Sequence, residues 1–214
     1  MQITWLPILS LLLAFFSIET MSYTSSDSVN VVDGPYVMYA GDTMMVHYID
    51  STEAGKVLRT DIYHTTKPRP AEIVVGTDEP GKTFAVKLRE KHKPEKAEYG
   101  RASKMLVLSD IEGNFKAFRQ LLQAAGAIDD NYKWTFGDGH LVIIGDMVDR
   151  GEMVTEVLWL IYSLEDQAEA AKGKVHYILG NHELMNMTGD LRYVHPRYLQ
   201  NAGIAGTDYM QMVG

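Results

Sequence analysis

The chain has 214 residues, 46% hydrophobic and 22% charged, which suits one domain or a domain with a small module and argues against general disorder. Its net charge of −8 and lack of a long Lys/Arg run argue against a nucleic-acid-binding surface. There is no cysteine, so disulfides, thiolate zinc sites and cysteine nucleophiles are excluded, and any metal site must use Asp, Glu, Asn and His. Residues 3–18, "ITWLPILSLLLAFFSI", contain no charge. That stretch is slightly short for a membrane span and about right for a signal-peptide core. No Lys or Arg precedes it, and no clear small-x-small cleavage site follows. The expectation is that residues 1–22 form a signal peptide or membrane anchor, giving an exported protein (periplasmic, secreted or membrane-anchored). A start at Met21 would instead leave it cytoplasmic.

Residues 23–100 read as a small β-rich module. "YVMYAGDTMMVHYI" holds two β-rich runs around Gly41-Asp42, a hairpin signal, and "DEPG" separates "AEIVVGT" from "KTFAVKL". The module carries no catalytic constellation and reads as a packing or positioning unit. Lys91 to Arg101 reads as a linker, and the mixed charges of "REKHKPEK" as a solvated loop.

From residue 101 the pattern alternates. "KMLVLSD", "HLVIIGD" and "KVHYILGN" are short apolar runs, separated by two helix patterns. The first helix pattern places Phe115, Phe118, Leu121, Leu122 and Ala125 at helical spacing, with Gly126 as a stop. The second, "EMVTEVLWLIYSLEDQAEAAKG", ends at Gly173. The order β-α-β-α-β predicts an α/β fold of buried parallel strands with helices packed on the faces. All three runs end in an oxygen-bearing side chain: Asp110, Asp146 and Asn181. Ligands of open α/β sheets bind outside the carboxyl ends of strands, so these three side chains are candidates to converge.

Such a set suits divalent metals that clamp a phosphate and activate water. Gly145 and Gly180 permit close backbone approach. Arg150 offers a fork of donors to phosphate oxygens, and His182 a proton to a leaving alkoxide with Asp149 to orient it.

"GDMVDRG" (Gly145 to Gly151) and "GNHE" (Gly180 to Glu183) resemble two signature blocks of the calcineurin-like metallophosphoesterases, phosphoprotein-phosphatase type. "SDIEGN" stands where that family has its opening block. "GNHELMNMTGDLRYV" is similar to the bacterial-like, Shewanella-like branch. The resemblance covers about Lys104 to Val194. It implies the N-terminal half of a metallophosphoesterase β-sandwich flanked by helices. It also implies two divalent ions (Mn, Mg or Fe, with Zn open), a phosphorylated substrate, and hydrolysis of phosphate monoesters by a metal-activated hydroxide. Carried over, Asp110 matches a ligand of the first metal, Asp146 the bridging carboxylate, and Asn181 a ligand of the second metal that also reaches phosphate. His182 matches the general acid, Asp149 its orienting partner and Arg150 a phosphate-binding arginine.

Two departures qualify that expectation. Glu112 replaces the histidine of the opening block; as a carboxylate it ligates Mn, Mg or Fe, or else points away. Only His195 follows His182, and it does not match the family's downstream ligating histidines. Residues 101–214 are therefore expected to be an N-terminal portion of the family domain, and the sheet to lack its covering layer. The alternative is an inactive remnant or binding protein that keeps the first half of the fold.

Blander readings stand beside these. Asp149 and Arg150 also suit a surface ion pair at a helix start. Arg192 suits phosphate binding or a helix surface. Position 186 is asparagine, so no His-Glu-x-x-His zinc helix exists. "NMT" at residues 186–188 matches a glycosylation sequon by chance. His47, His64, His92, His140 and His176 read as surface or strand-packing residues. Trp134, Phe136 and Trp159 read as packing, and the methionines as core filler. Oligomeric state has no signal.

Overall fold

The computed structural model describes residues 31–64, 72–89, 96 and 98–213. The apolar stretch at residues 3–18, His92 and most of the expected linker lie outside the described residues. Among the described residues no helix is long and apolar enough to cross a membrane.

The expected β-rich region forms two antiparallel sheets. β1 (Val31–Ala40), β2 (Thr43–Thr52) and β3 (Gly55–His64) pair in that order. Gly41 makes the first turn at φ 60°, a left-handed conformation that costs glycine little. β4 (Glu72–Gly76) and β5 (Thr83–Lys87) form a separate hairpin. Alternate residues of β2, β4 and β5 turn inward: Met44, Val46 and Tyr48 from β2, Ile73 and Val75 from β4, Phe84 and Val86 from β5.

The second half is the expected β-α-β-α-β unit. β6 (Met105–Leu108), β7 (His140–Ile144) and β8 (Lys174–Ile178) are parallel in the order β6-β7-β8. α1 (Phe115–Ala124) follows β6, and α2 (Val154–Ala170) follows β7. Three short helices that the sequence reading did not anticipate follow: α3 (Asn181–Met187), α4 (Pro196–Ile204) and α5 (Tyr209–Val213).

α1 starts where the Asn114 side chain accepts from Ala117 N, which satisfies one of the free amides of the first turn. Its buried stripe is Phe115, Phe118, Arg119 and Leu122. Leu121 and Ala125, expected on that stripe, are exposed: Leu121 lies off the 115-118-122 face, and Ala125 is the C-cap beyond the end of the helix. Arg119 takes a buried position instead, since Asp78 of the β4–β5 turn accepts from both its Nε (2.8 Å) and its second terminal nitrogen (2.7 Å). α2 ends at Ala170, earlier than expected, and Lys172 rather than Gly173 takes the left-handed turn. Gly173 is needed for space: a Cβ there would lie 2.6 Å from the carbonyl oxygens of Gly137 and Gly139.

Both helices lie between the two β regions. α2 touches β8 on one side and β1, β4 and β5 on the other. One continuous apolar cluster therefore joins the module (Met44, Val75, Phe84, Val86) to the α/β unit (Phe118, Leu122, Leu141, Ile143, Leu160, Leu164). Phe84 of β5 stacks on Phe115 of α1 with centroids 6.3 Å apart, and Tyr132 closes the aromatic group. Burying each such ring contributes about 1.5–3 kcal/mol. Arg89 adds polar contacts, pairing with Glu165 (2.6 Å) and Asp166 (2.8 Å) of α2.

Among the described residues, helices cover only one face of the parallel sheet. A strand order that advances one way, with crossovers of one hand, lays both helices on the same side. On the other face Met105, Val107, Ile144 and Ile178 are 50–58% exposed. His140 and His176 lie there too, with ring nitrogens 3.0 Å apart and Tyr99 edge-on to both. His47 is a strand-packing residue, bonded to Thr60 Oγ1 at 2.7 Å.

Candidate active site

The carboxyl ends of the three parallel strands meet. The loop after β6 is laced to the loop after β7: Asp110 N donates to Gly145 O (3.3 Å), Glu112 N to Asp146 O (3.0 Å) and Gly113 N to Met147 O (2.9 Å). The return bonds are Gly151 N to Glu112 O (2.9 Å) and Met153 N to Gly113 O (3.1 Å). Asp110, Glu112, Asp146, Asp149 and Arg150 all have positive φ, between 49° and 73°. Such non-glycine conformations cost on the order of 1 kcal/mol each and persist where surrounding structure over-determines them.

Glycines allow the loops to touch. A Cβ on Gly145 would stand 2.2 Å from Gly180 N, and one on Gly180 would stand 2.3 Å from Asp146 Oδ1. A Cβ on Gly151 would stand 2.4 Å from Glu112 O. These contacts bring together the backbones of the loops that carry Asp110, Asp146 and Asn181.

Glu183 fastens the loops after β7 and β8. Its two oxygens accept from Asp146 N (2.8 Å), Met147 N (2.8 Å), Gly180 N (2.7 Å) and the Tyr177 hydroxyl (2.9 Å). Burial alone would raise its pKa, but these donors outweigh burial and hold it below the usual carboxylate range. Asp146 is fixed further, since His182 N donates to its Oδ1 at 3.0 Å.

His182 is buried, and its Nδ1 lies 2.7 Å from Asp149 Oδ2. The Asp149 side chain is fully buried. Its other oxygen, Oδ1, accepts from Asn186 Nδ2 at 2.7 Å. Asn186 Nδ2 also donates to His182 O (3.1 Å), and Asn186 Oδ1 accepts from the Tyr209 hydroxyl of α5 (2.8 Å). His182 Nε2 faces the loops, 3.9 Å from Glu112 Oε1.

The Arg150 guanidinium is half exposed and pairs with the Glu112 carboxylate. Its backbone N donates to Tyr193 O (2.9 Å), and the Tyr193 ring lies beside both Arg150 (5.3 Å) and the His182 ring (5.2 Å between centroids). Arg192 is exposed and engages Asp190 through two nitrogens (2.9 and 2.5 Å), which holds it in a local ion pair.

The donors at the strand ends are two carboxylates and an amide, a hard oxygen set that fits Mg, Mn or Fe(II) better than a thiophilic ion. Among the described residues no three His, Asp or Glu side chains come close enough to hold an ion by themselves. Glu112 is engaged with Arg150 instead of joining Asp110 and Asp146 in such a cluster.

The family model described as calcineurin-like phosphoesterase matches residues 103–211. The chain belongs to that family. It is 34% identical over 102 residues to Shewanella-like protein phosphatase 2 of Arabidopsis thaliana, covering 48% of this chain and 26% of that protein. It is 36% identical over 78 residues to a symmetrical bis(5'-nucleosyl)-tetraphosphatase of Buchnera aphidicola, covering 36% of this chain and 23% of that protein. The solved cold-active protein-tyrosine phosphatase of a psychrophile Shewanella sp. matches with TM-score 0.69 and 33% identity over 84% of this chain and 52% of that one. These matches bear out the likeness to the Shewanella-like branch. The chain spans about a quarter of these curated relatives and about half of the solved one.

In this calcineurin-like phosphoesterase chain four residues outside the expected set bear on the strand-end loops or on their neighbours: Glu183, Asn186, Tyr193 and Tyr209. Glu183 was quoted only inside "GNHE". Asn186 was noted as a sequon and as the break in a zinc motif. Tyr193 lies inside "GNHELMNMTGDLRYV", where nothing in the motif assigns it a role. For Tyr209 no local signal existed, because its contact with Asn186 spans 23 positions.

Proposed function

We propose that this protein hydrolyses phosphate monoesters with divalent metal ions held by Asp110, Asp146 and Asn181. The observation that supports the reading is a buried His182–Asp149 pair next to Asp146, whose Oδ1 accepts from His182 N, on strand-end loops laced together through their backbones. A divalent ion, when bound, supplies Lewis acidity and lowers the pKa of water. The chain's own residues do the rest. Arg150 offers donors to the phosphate oxygens, and its backbone is held by Tyr193 O. His182 Nε2 faces the loops and gives a proton to the leaving oxygen, while Asp149 holds the Nδ1 side. Glu183 keeps the backbone of Asp146 and Gly180 in register.

The substrate class we favour is an aryl phosphomonoester on a protein. The Tyr193 ring flanks both His182 and Arg150, so it gives a leaving phenyl ring a face to pack on. The names of the phosphatase relatives support that choice.

The reading is tested by assaying an aryl phosphate with and without Mn²⁺ or Mg²⁺. Metal-dependent release of phosphate is expected, and Asp146→Asn should reduce it to background. Unchanged activity in that variant would remove Asp146 from the metal site. One observation favours a second reading, a phosphate-binding chain without turnover: no three acidic or histidine side chains cluster among the described residues. That reading predicts phosphate binding with no hydrolysis in the same assay.

A further inference from the structure

We propose that Asn186 and Tyr209 are positioning residues for the proton donor: they hold Asp149 from the side opposite His182, so that His182 Nε2 stays aimed at the leaving oxygen. The inference rests on the reading of His182 as general acid.

A carboxylate turns easily about its last torsion, which is broad and nearly two-fold. A single bond to His182 Nδ1 therefore does not fix the Asp149 plane. The second oxygen must be held as well, and Asn186 Nδ2 holds it at 2.7 Å. The orientation of the Asn186 amide follows from chemistry. Its two short partners on that side, Asp149 Oδ1 and His182 O, are both acceptors, so the NH₂ group must face them. The amide oxygen then faces away and accepts from the Tyr209 hydroxyl. Burial, with Asp149 and Asp33 nearby, pushes the Tyr209 pKa up to about 12, so the hydroxyl remains a donor near neutrality. Four side chains from three places therefore form one line: His182 and Asn186 on α3, Asp149 after β7, and Tyr209 on α5.

Each member of the line is hard to replace. Asp149 has no exposed side-chain surface, so losing Asn186 leaves Oδ1 without a partner and without water. Asn186 also ties the dyad to its own helix through His182 O. In the step itself a water oxygen bonds to phosphorus as the P–O ester bond breaks, and the proton on His182 Nε2 passes to the departing ester oxygen. That oxygen departs as a hydroxyl, and the proton shed by the attacking water replaces the one His182 gave up.

The line predicts a dependence on leaving group that a merely structural role would not produce. Phenol leaves poorly without a proton, whereas 2,4-dinitrophenolate needs none. In the full chain with Mg²⁺, Asn186→Ala should lower kcat on phenyl phosphate by about 10- to 100-fold, the worth of a hydrogen bond to a buried charge. Tyr209→Phe, which removes one oxygen and little packing, should lower it by roughly 3- to 10-fold. With 2,4-dinitrophenyl phosphate both variants should stay within about 3-fold of the unsubstituted protein, with KM and metal dependence unchanged. Equal losses on both esters, or none on phenyl phosphate, would overturn the proposal. If the unsubstituted protein hydrolyses neither ester, the phosphoesterase reading fails, and proton NMR still decides the positioning role. A low-field His182 Nδ1–H signal, assigned by its loss in His182→Gln, should be sharp in the unsubstituted protein and lost or broadened in Asn186→Ala. Its retention there would also overturn the proposal.

Discussion

Glu112 carries a charge where the family resemblance places a histidine, and its carboxylate meets the Arg150 guanidinium. A phosphate dianion must take Arg150 donors in the presence of that second anion. Removing the Glu112 charge should therefore favour the phosphate. We expect Glu112→Gln to tighten competitive inhibition by inorganic phosphate roughly 3-fold, since a half-exposed pair is worth at most about 1 kcal/mol. Metal affinity, read by calorimetric titration, should not change. A fall in metal affinity of about tenfold or more would instead make Glu112 a ligand. At this scale the strand-end residues were legible, because an Asp or Asn directly after an apolar run lies where α/β sheets gather ligands. Asp149 and His182 were legible through their motifs. Asn186 and Tyr209 were not, because Asn186 meets Asp149 across 37 positions and Tyr209 reaches Asn186 only after α5 folds back.

The same non-local logic governs α2, whose polar residues face the β-rich region. Asp33 of β1 is buried, and among the described residues no cation pairs with it: it accepts from Tyr36 OH, Thr155 Oγ1 and Asn201 Nδ2. Beside it Glu156 is also buried, and its Oε2 has no hydrogen-bond partner among the described residues. Burial, reinforced by the Asp33 charge, pushes the Glu156 pKa up to about 8 from 4.5. The folded state therefore holds a proton that the unfolded chain has released. Stability contributed by this group is complete below about pH 4.5 and is lost as pH rises toward 8, by an amount on the order of a few kcal/mol. Glu156→Gln should flatten that slope and raise the urea midpoint at pH 8; an unchanged slope in the variant would assign the pH dependence to another group. The existence and order of α1, α2 and the three parallel strands were legible from periodicity. The Leu121 side of α1 was misjudged because a buried arginine counts as polar until Asp78 is seen to meet it. α3, α4 and α5 are too short to show a period. Pro196 at the start of α4 was the available signal, with His195 as its cap accepting from Arg197 N.

At the scale of the whole chain, the apolar runs read as buried, but among the described residues the sheet buries only one side. Leu108, Leu141, Ile143 and Val175 pack inward, while Met105, Val107, Ile144 and Ile178 face out on neighbouring strands. Periodicity does not separate these two sets, because both faces of these strands carry apolar residues, with His140 and His176 among them on the outer face. The uncovered set is contiguous, and contiguous apolar surface drives association. We expect the 214-residue chain to self-associate through this face in a concentration-dependent way. Val107→Lys combined with Ile178→Glu places one charge of each sign on the two outer strands, so net charge is unchanged and desolvating the face becomes costly. Sedimentation should show association weakened by at least about tenfold, the effect of burying a charge at about 1.4 kcal/mol or more. The thermal midpoint of dilute protein should move by no more than about 4 °C, because both side chains are already half exposed and only strand propensity changes. If association persists in the double variant, another surface carries it, and the open sheet face is compatible with a monomer.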